Sequence, residues 1–380
     1  MVDQLDSYRD RYPILAGTSY LVSHSLGAMP NTARDELNRY ADEWTERGVR
    51  AWAEGWWETP VSVGDELAPV VGAPAGSIAM VQNVAVAQAV IASCLSLTGP
   101  RNRVVFSELN FPSVMYAWHN VRGAHVATVR SWDGVTVPTE TFLAAINDRT
   151  AVVPLSHVLF KSAYIQDVQA ITQRAHEVGA AVILDCYQSA GTVPFSLSEL
   201  EVDFAVGGSV KWLSGGPGAG WLYVRPDLQE TFEPRFVGWQ GDSAPFDFRP
   251  GKIDYAPGIW RYLSGTPNVP ALYGARAGYR IVREVGVPAI REKSLRMTQW
   301  IIDMADELEI PVKSERSPDR RGGTVTLHVG DEDRVAAELG SRQVVVDARP
   351  GAGIRVGPHF YNSGEDLSRF REALVEILGR

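Results

Sequence analysis

The chain has 380 residues, of which 45% are hydrophobic and 21% are charged, and its formal net charge at pH 7 is −9. This length accommodates one large domain and a smaller one, and the acidic balance argues against nucleic-acid binding, which requires a basic surface. Both cysteines, Cys94 and Cys186, lie in apolar segments, so neither a disulfide framework nor a structural zinc site is expected.

The N-terminal segment is polar at its start and rich in tryptophan further on. Residues 1–6 lack the basic and then apolar pattern of a secretory signal peptide, and no apolar run approaches the roughly 20 residues that span a bilayer. We therefore expect a cytoplasmic protein that does not contact membranes. The density of tryptophan at Trp44, Trp52, Trp56 and Trp57 favours core packing or an interface over a substrate-lining role.

From about residue 77 to residue 225 the pattern alternates between helices and short apolar strands. Helical patterns are predicted over residues 81–97, 113–122, 140–147 and 167–178. Strands are predicted over residues 103–106, 126–130, 151–156, 181–185, 204–206 and 221–224. This alternation predicts crossover units in a mostly parallel sheet, whose ligands bind at the carboxyl ends of the strands.

A stretch rich in proline and glycine, residues 246–270, separates this region from the rest of the chain. Residues 271–285 and 288–308 have helical patterns, and the second is amphipathic, as expected of a long connecting helix. Alternating patterns continue over residues 324–329, 333–339, 354–356 and 366–378. They predict a small C-terminal α/β domain of about 100 residues.

Lys211 is the most informative residue of the chain. It lies in the segment SVKWLSGGPG, and Asp185 stands 26 positions upstream, at the end of the apolar run Ala181–Leu184. A lysine amine can form a Schiff base with pyridoxal phosphate (PLP), and a carboxylate can keep the pyridine nitrogen protonated. The pair predicts a PLP site with Lys211 and Asp185 as catalytic residues; the plainer alternatives are a surface lysine and a helix N-cap.

Two other patterns resemble ligand sites without matching them. The glycines of Gly216–Gly220 lack the G-x-G-x-x-G spacing and lead into a strand, so they do not predict a dinucleotide site. The histidines form neither an H-x-x-x-H nor an H-E-x-x-H pair, so no catalytic metal is expected.

Several further segments carry a family resemblance, and they occur in the family's order. They are Tyr20-Leu21, Ser25–Gly27, Asn110–Ser113, Leu155–Val158, Gln166–Val168, Asp185–Gly191, Val202–Val224, Gly238-Trp239, Leu263–Pro267 and Ile354–His359. On these segments the chain resembles the fold-type I, class V PLP enzymes (the aminotransferase class V superfamily), and within them kynureninase most. The resemblance implies an α/β fold, with a large domain built on a mostly parallel seven-stranded sheet and a small C-terminal α/β domain.

The resemblance also implies how the chain is divided and assembled. Residues 1–60 would form an N-terminal segment that packs on the small domain and on a dimer partner. Residues 61–265 would form the PLP-binding domain, and residues 266–380 the connecting helix and the small domain. The expected assembly is a homodimer with shared active sites that acts on an amino-acid substrate.

Further cofactor-binding residues follow from the resemblance and from helix physics. Gln188 would hydrogen-bond the phenolic oxygen of the cofactor, and Phe111 would stack on its ring. Asn83 and Val84 open the predicted 81–97 helix, whose N-terminus favours a phosphate, and Ser209 has a hydroxyl suited to the same phosphate. Core packing for Phe111 and a plain N-cap for Asn83 remain alternatives.

Three more positions complete the predicted site. Trp239 and Thr266 match kynureninase positions that reach the phosphate from the partner subunit. Arg355 stands where the superfamily places an arginine that holds the substrate α-carboxylate with a bidentate fork. A structural salt bridge is the alternative for Arg355.

The resemblance implies hydrolytic Cβ–Cγ cleavage of L-kynurenine to anthranilate and L-alanine, or a close variant. The chain departs from kynureninases at Gln188, where they usually have histidine, at Val210, where many have tyrosine, and at His24, where asparagine is usual. Lys211-Trp212-Leu213 is closer to isopenicillin N epimerase-like members. A class V aminotransferase or such an epimerase-like enzyme is therefore the alternative, and a non-catalytic PLP-fold protein is the second; Lys211, Asp185 and Arg355 argue against the latter.

Overall fold

The computed structural model describes residues 4–379 and contains twelve strands and eleven α-helices in that range. The strands are β1 (Ser19–Tyr20), β2 (Ile78–Val81), β3 (Arg103–Ser107), β4 (His125–Val129), β5 (Thr150–Ser156), β6 (Ala181–Asp185), β7 (Phe204–Gly208), β8 (Gly220–Val224), β9 (Val325–Leu327), β10 (Val344–Val345), β11 (Asp347–Arg349) and β12 (Gly353–Val356). The helices are α1 (Asn31–Arg47), α2 (Thr59–Leu67), α3 (Val84–Cys94), α4 (Pro112–His119), α5 (Thr139–Ala145), α6 (Val168–Glu177), α7 (Leu197–Leu200), α8 (Val269–Val285), α9 (Val287–Glu307), α10 (Glu332–Ser341) and α11 (Gly364–Leu378). Met1–Asp3, the start of the polar N-terminus, and Arg380 lie outside the described residues.

The larger domain is built on a seven-stranded sheet with the order β2-β8-β7-β6-β5-β3-β4. All neighbouring pairs are parallel except those of β8, which runs antiparallel to both β2 and β7. The central strands β5, β6 and β7 are buried along almost their whole length, as expected where helices cover both faces of a parallel sheet. The predicted α/β fold with a mostly parallel seven-stranded sheet is confirmed.

Strand β2, which completes the seven-stranded sheet, was not predicted from the sequence. The predicted helix over residues 81–97 begins instead at Val84, and the apolar run Ile78–Val81 before it forms β2. Periodicity cannot separate so short an apolar run from the first turn of a following helix. The boundary is set by Asn83, whose side chain accepts hydrogen bonds from the N–H groups of Ala85 and Val86.

The smaller domain carries an antiparallel sheet with the order β11-β12-β9 and the helices α10 and α11. The N-terminal segment joins this domain, because β1 pairs in parallel with β10, and Leu21 is buried in the same hydrophobic core. Helix α9, with 21 residues, leads from the larger domain into the smaller one. Within residues 4–379, no helix combines the length and the hydrophobicity that a membrane span requires.

Three parallel strands end side by side at one edge of the large sheet. Strand β5 ends at Ser156, β6 at Asp185 and β7 at Gly208, and Lys211 follows three residues after β7. The carboxyl edge of a parallel sheet is the usual place for a ligand, so the fold brings the two predicted catalytic residues to the same edge.

Candidate active site

The loop that carries Lys211 is fixed through its backbone. Each of the four carbonyls of residues 209–212 accepts a hydrogen bond. The donors are the N–H of Gly215 to Ser209 (2.7 Å), of Gly27 to Val210 (2.8 Å) and of Ser214 to Lys211 (2.9 Å), and Nε2 of His359 to Trp212 (2.8 Å). These bonds leave the loop little freedom, so the backbone under the lysine is held in place before any ligand arrives.

Gly27 approaches the lysine loop so closely that a side chain would not fit there. A Cβ atom added at Gly27 would lie 2.2 Å from the carbonyl oxygen of Lys211. The N-terminal segment therefore packs directly against the backbone of the loop. This contact gives a structural reason for the glycine in the Ser25–Gly27 segment.

The side chain of Lys211 lies between two aromatic rings. Its Nζ is 5.5 Å from the ring centre of Phe111 and 5.4 Å from that of Tyr187. Burial lowers the pKa of Lys211 to about 8, and the nearby carboxylate of Asp185 opposes this shift. At neutral pH a larger fraction of this amine is unprotonated than in an ordinary lysine, and only the unprotonated amine attacks a carbonyl.

Asp185 is a buried carboxylate at the end of β6, with 6% of its surface exposed. Its Oδ1 accepts a hydrogen bond of 2.9 Å from the N–H of Tyr187. Burial raises the pKa of Asp185, whereas this N–H and the charge of Lys211 lower it. A buried carboxylate is stabilised by a cationic partner, and a protonated pyridine nitrogen is a cation of the right kind.

A cavity of about 280 Å³ lies beside the lysine loop. It is lined by Gln82, Asn83, Val84, Ala85, Phe111, Ser113, Tyr187, Gly208, Ser209, Val210 and the glycine-rich run 216–220. Phe111 leaves 38% of its surface exposed, so its ring is available to a ligand and is not part of the core. Four predicted cofactor-binding residues thus share one cavity, and the aromatic rings of its wall also lie near the amine of Lys211. An aromatic wall, a helix N-terminus and an adjacent reactive amine fit PLP.

The polar end of the cavity lies at the N-terminus of α3. The side chain of Asn83 caps this helix by accepting from the N–H of Ala85 (3.0 Å) and of Val86 (3.2 Å). The Ser209 hydroxyl donates to the carbonyl of Ala219 (2.5 Å) and also hydrogen-bonds the hydroxyl of Tyr279. Two of the three predicted phosphate residues, Asn83 and Ser209, therefore already have protein partners. A phosphate would have to share the N–H groups of Ala85 and Val86 and the hydroxyl of Ser209 with these partners.

Tyr187 and Tyr279 are site residues that the sequence analysis missed. The N–H of Val84 lies near the hydroxyl of Tyr187 and lowers the pKa of that hydroxyl. Burial has the larger effect and raises the pKa of Tyr187. A signal existed for Tyr187, because it stands two residues after Asp185 at the end of the same strand. No sequence pattern pointed to Tyr279, which reaches the site from α8.

Gln188 lies between the lysine loop and the N-terminal segment. Its Nε2 donates to the carbonyl of His24 (3.0 Å), and its Oε1 accepts from the indole N–H of Trp212 (3.2 Å). The amide therefore has one Nε2 hydrogen left for a ligand. Its bond to the phenolic oxygen of the cofactor remains a prediction.

Arg355 is 3% exposed and forms a bidentate salt bridge. Its Nε and Nη2 donate to Asp347 (2.8 and 2.6 Å), and its Nη1 donates to the carbonyl of Phe160 (2.8 Å). The salt bridge considered as an alternative is thus present. The charge of Arg355 also lowers the pKa of Lys211, so the guanidinium lies close to the reactive amine, and its binding of a carboxylate remains a prediction.

Trp239 and Thr266 lie outside the cavity of their own chain. Trp239 is 39% exposed and packs against Trp57, with ring centres 4.7 Å apart, and against Phe246 and Phe248. Thr266 is exposed. One chain alone does not bring these two residues to Lys211, so their contact with a cofactor in a partner subunit remains a prediction.

Comparisons with known proteins identify the family of the chain. The sequence profile described as "Aminotransferase class-V" matches residues 45–370. Kynureninase of Bacillus mycoides is 30% identical over 396 residues, covering 99% of this chain and 92% of that protein. A Bacillus subtilis protein described as an uncharacterized aminotransferase, YcbU, is 29% identical over 99% of this chain and 98% of its own length.

Solved structures show the same fold. An apo cysteine desulfurase from Thermococcus onnurineus NA1 superposes with a TM-score of 0.88 at 21% identity, over 100% of this chain and 99% of that one. A C-DES variant with glycine covalently linked to its PLP cofactor covers 97% of this chain and 99% of its own, with a TM-score of 0.88 at 18% identity. The chain belongs to the class-V aminotransferase family and is a PLP-dependent enzyme of that family.

Proposed function

We propose that the chain catalyses a kynureninase-like reaction, the hydrolytic Cβ–Cγ cleavage of L-kynurenine or a close relative to an anthranilate and L-alanine. The observation that carries this proposal is the placement of Lys211 between Phe111 and Tyr187, with Asp185 and Arg355 close enough to shift its pKa. Similarity to kynureninases over 99% of the chain favours this reaction within the family.

The residues of the chain divide the work of this reaction. PLP, when bound, withdraws electrons from the Cα of an amino acid and so weakens the bonds around that carbon. Lys211 would hold the cofactor covalently between turnovers, and its amine would then take the proton from Cα of the substrate, a role that a pKa of about 8 suits. Asp185 would keep a proton on the pyridine nitrogen, and Arg355 would orient the α-carboxylate.

The cleavage consumes one water molecule. Water adds to the γ-carbonyl of the substrate, the Cβ–Cγ bond breaks, Cβ takes a proton, and Cα regains a proton from Lys211. The γ-carbon leaves as the carboxylate of the anthranilate, and Cα and Cβ remain in alanine. The rings of Phe111 and Tyr187 place apolar surface beside the amine of Lys211, at 5.5 and 5.4 Å from it.

A class-V aminotransferase or an isopenicillin N epimerase-like enzyme that acts on another amino acid is the second candidate. Its support is the 29% identity to YcbU together with the departures at Gln188 and Val210. Valine has neither a donor nor an acceptor in its side chain, so Val210 cannot assist a proton transfer as a tyrosine would.

A cysteine desulfurase is disfavoured, although solved desulfurases share the fold. Such an enzyme requires a nucleophilic cysteine in the C-terminal half, and the last cysteine of the chain is Cys186. Burial and the neighbouring charge of Asp185 raise the pKa of Cys186, and burial raises that of Cys94 to about 12. Thiols with raised pKa values are poor nucleophiles at neutral pH.

We also propose a cytoplasmic homodimer with shared active sites. Trp239, Phe246 and Phe248 form an aromatic surface patch in which the exposed fractions are 39%, 59% and 73%. Exposed apolar patches mark interaction sites, and a partner's active site is the expected neighbour of Trp239. Light scattering should give about twice the 41.6 kDa of one chain; the mass of a single chain would contradict the dimer.

Product analysis tests the proposed reaction. Purified, PLP-loaded protein is mixed with L-kynurenine and with 3-hydroxykynurenine, and the amino acids and aromatic products are quantified with and without an added 2-oxo acid. Alanine and an anthranilate in equal amounts, independent of the oxo acid, are expected. Turnover that requires the oxo acid would favour the aminotransferase, and an unchanged substrate beside an intact cofactor spectrum would exclude both kynurenines.

A further inference from the structure

A buried charge network lies directly behind Arg355. Asp347 accepts from Nε and Nη2 of Arg355 and from Nε2 of His24 (3.0 Å), and Nη2 of Arg349 lies 2.9 Å away from it. Asp347 and Arg355 stand directly opposite each other in the antiparallel pair β11–β12. The network therefore joins the small domain to the N-terminal segment next to the candidate active site.

His24 acts in this network as a neutral hydrogen-bond donor. Burial and the charge of Arg355 lower its pKa to about 4, so the ring is uncharged at neutral pH and its proton lies on Nε2, facing Asp347. On its other side Nδ1 faces Gly357, where an added Cβ atom would lie 2.2 Å from it. The ring cannot shift in that direction.

Asp347 stays charged over the whole working range of pH. Burial raises its pKa, but the hydrogen bonds from His24 and Arg355 outweigh burial and hold the pKa well below its usual range. The side chain of Asp347 is 14% exposed, whereas that of Arg355 is 3% exposed. A charge pair this buried, with full hydrogen bonding, has one strongly preferred geometry.

The bonding of Arg355 leaves two donors of its guanidinium without a protein partner within residues 4–379. The group has five N–H donors in a planar fork. Asp347 takes the edge formed by Nε and Nη2, and Phe160 takes one donor of Nη1. The two remaining donors, one on Nη1 and one on Nη2, are available to a carboxylate.

We propose that Asp347 and His24 are positioning residues for the substrate α-carboxylate: Asp347 fixes the guanidinium of Arg355 so that its two remaining N–H donors face the amino acid, and His24 fixes Asp347. The inference rests on the proposed function, because it presupposes an amino-acid substrate. A fixed guanidinium loses little conformational freedom on binding, so Asp347 strengthens carboxylate binding although it carries the same charge as the ligand.

The experiment measures carboxylate recognition without turnover. L-alanine and L-alaninamide, which differ only in the carboxylate, are titrated into the PLP-loaded enzyme, and Kd values follow from the change in cofactor absorbance. We expect the intact enzyme to bind alanine at least ~10-fold more tightly than the amide, the order of one charged hydrogen-bonded contact. Asp347→Asn should reduce this ratio at least ~5-fold and raise KM while kcat changes little.

Two substitutions of His24 separate positioning from mere packing. His24→Asn retains an N–H donor and should keep most of the alanine-to-amide ratio, whereas His24→Leu removes the donor and should resemble Asp347→Asn. The matched control is Asp203→Asn, because Asp203 is a buried acid with a histidine and an arginine partner at the opposite edge of the sheet. It should leave the ratio unchanged.

The outcomes distinguish a failure of the positioning role of Asp347 from a failure of the proposed reaction. A ratio that is unchanged or larger in Asp347→Asn, in protein with a normal Tm and cofactor spectrum, would overturn the positioning role and make Asp347 a competitor of the substrate. Equal binding of alanine and the amide by the intact enzyme would overturn it as well. Normal alanine recognition without cleavage of kynurenines would instead contradict only the proposed reaction.

Discussion

Two networks of the same three residue types lie toward opposite edges of the large sheet. At the lysine edge, His24 and Arg355 bind Asp347; at the other edge, Asp203, just before β7, accepts from His176 (2.9 Å) and lies 3.4 Å from Arg225. The first network draws its members from the N-terminal segment and the small domain. The second lies within the large domain alone and also ties Asp203 to the backbone N–H of Val182 (2.8 Å).

The comparison shows that residue types do not define a site by themselves. In the network of Asp203 the histidine is one-third exposed and the arginine one-quarter exposed, so solvent competes for both. In the network of Asp347 both the histidine and the arginine are buried, and the charges of Arg355 and Asp347 act on Lys211. Burial next to a reactive amine distinguishes a functional network from a structural one.

The largest effect is expected from Lys211→Ala. The substitution removes both the covalent attachment of the cofactor and the base at Cα, so the rate should fall by at least ~10²–10⁴-fold, and the bound-cofactor absorbance should shift to that of free PLP. Lys293→Ala is the matched control, since Lys293 is also a lysine with little exposure but is paired with Asp6 (2.8 Å). A normal cofactor spectrum in Lys211→Ala would remove the basis of the assignment.

The second-largest effect is expected when the arginine of the Asp347 network is replaced, and the arginine of the Asp203 network is its control. Arg355→Ala should raise KM for an amino-acid substrate, because the buried guanidinium that binds the carboxylate is gone. The rise should correspond to a loss of roughly 2–5 kcal/mol of binding free energy. Arg225→Ala should leave KM unchanged and alter only Tm. Steady-state kinetics of both variants provide the check, and similar KM values for the two would place the carboxylate site elsewhere.

A pH dependence follows from the lowered pKa of Lys211. The neutral amine captures PLP, so the rate at which apo protein binds the cofactor covalently should rise with pH and level off above a midpoint of about 8. An ordinary exposed lysine would give a midpoint of about 10.4. Stopped-flow absorbance from pH 6 to 10 measures the midpoint; a value near that of an exposed lysine would contradict the buried setting.

The smallest effect is expected at the N-terminus of α3, which lines the polar end of the cavity. Asn83→Ala removes the cap of α3 and should lower the free energy of unfolding by about 1 kcal/mol, while PLP affinity falls only if Asn83 also contacts the phosphate. Denaturant unfolding of the apo protein and a PLP titration separate the two roles. Unchanged stability would mean that the cap bonds of Asn83 are weaker than their 3.0 and 3.2 Å distances indicate.

The proximity of Asp185 and Lys211 was predictable from the sequence because it depends on local pattern. Asp185 ends a continuous apolar run and Lys211 follows the next strand, so the carboxyl edge of a parallel sheet had to bring both together. The order of patterns from residue 103 to 224 likewise predicted six of the seven strands of the large sheet. The seventh, Ile78–Val81, was absorbed into a helix prediction because Asn83 alone marks the break.

The surroundings of Arg355 were not predictable in the same way. Asp347 lies in β11, a strand of three residues without a hydrophobic pattern, so its register opposite Arg355 leaves no trace in the sequence. His24 is 323 positions from Asp347, and only the packing of the N-terminal segment on the small domain brings them together. Such contacts depend on the tertiary fold and not on local pattern.

The central claim is that Lys211, and no other lysine, carries the cofactor at this edge of the sheet. Borohydride reduction of the PLP-loaded enzyme, followed by proteolysis and mass spectrometry, locates the modified residue directly. The account predicts one pyridoxyl group per chain, on the peptide that contains Lys211. Modification of Lys161, Lys252, Lys293 or Lys313 in place of Lys211 would contradict it.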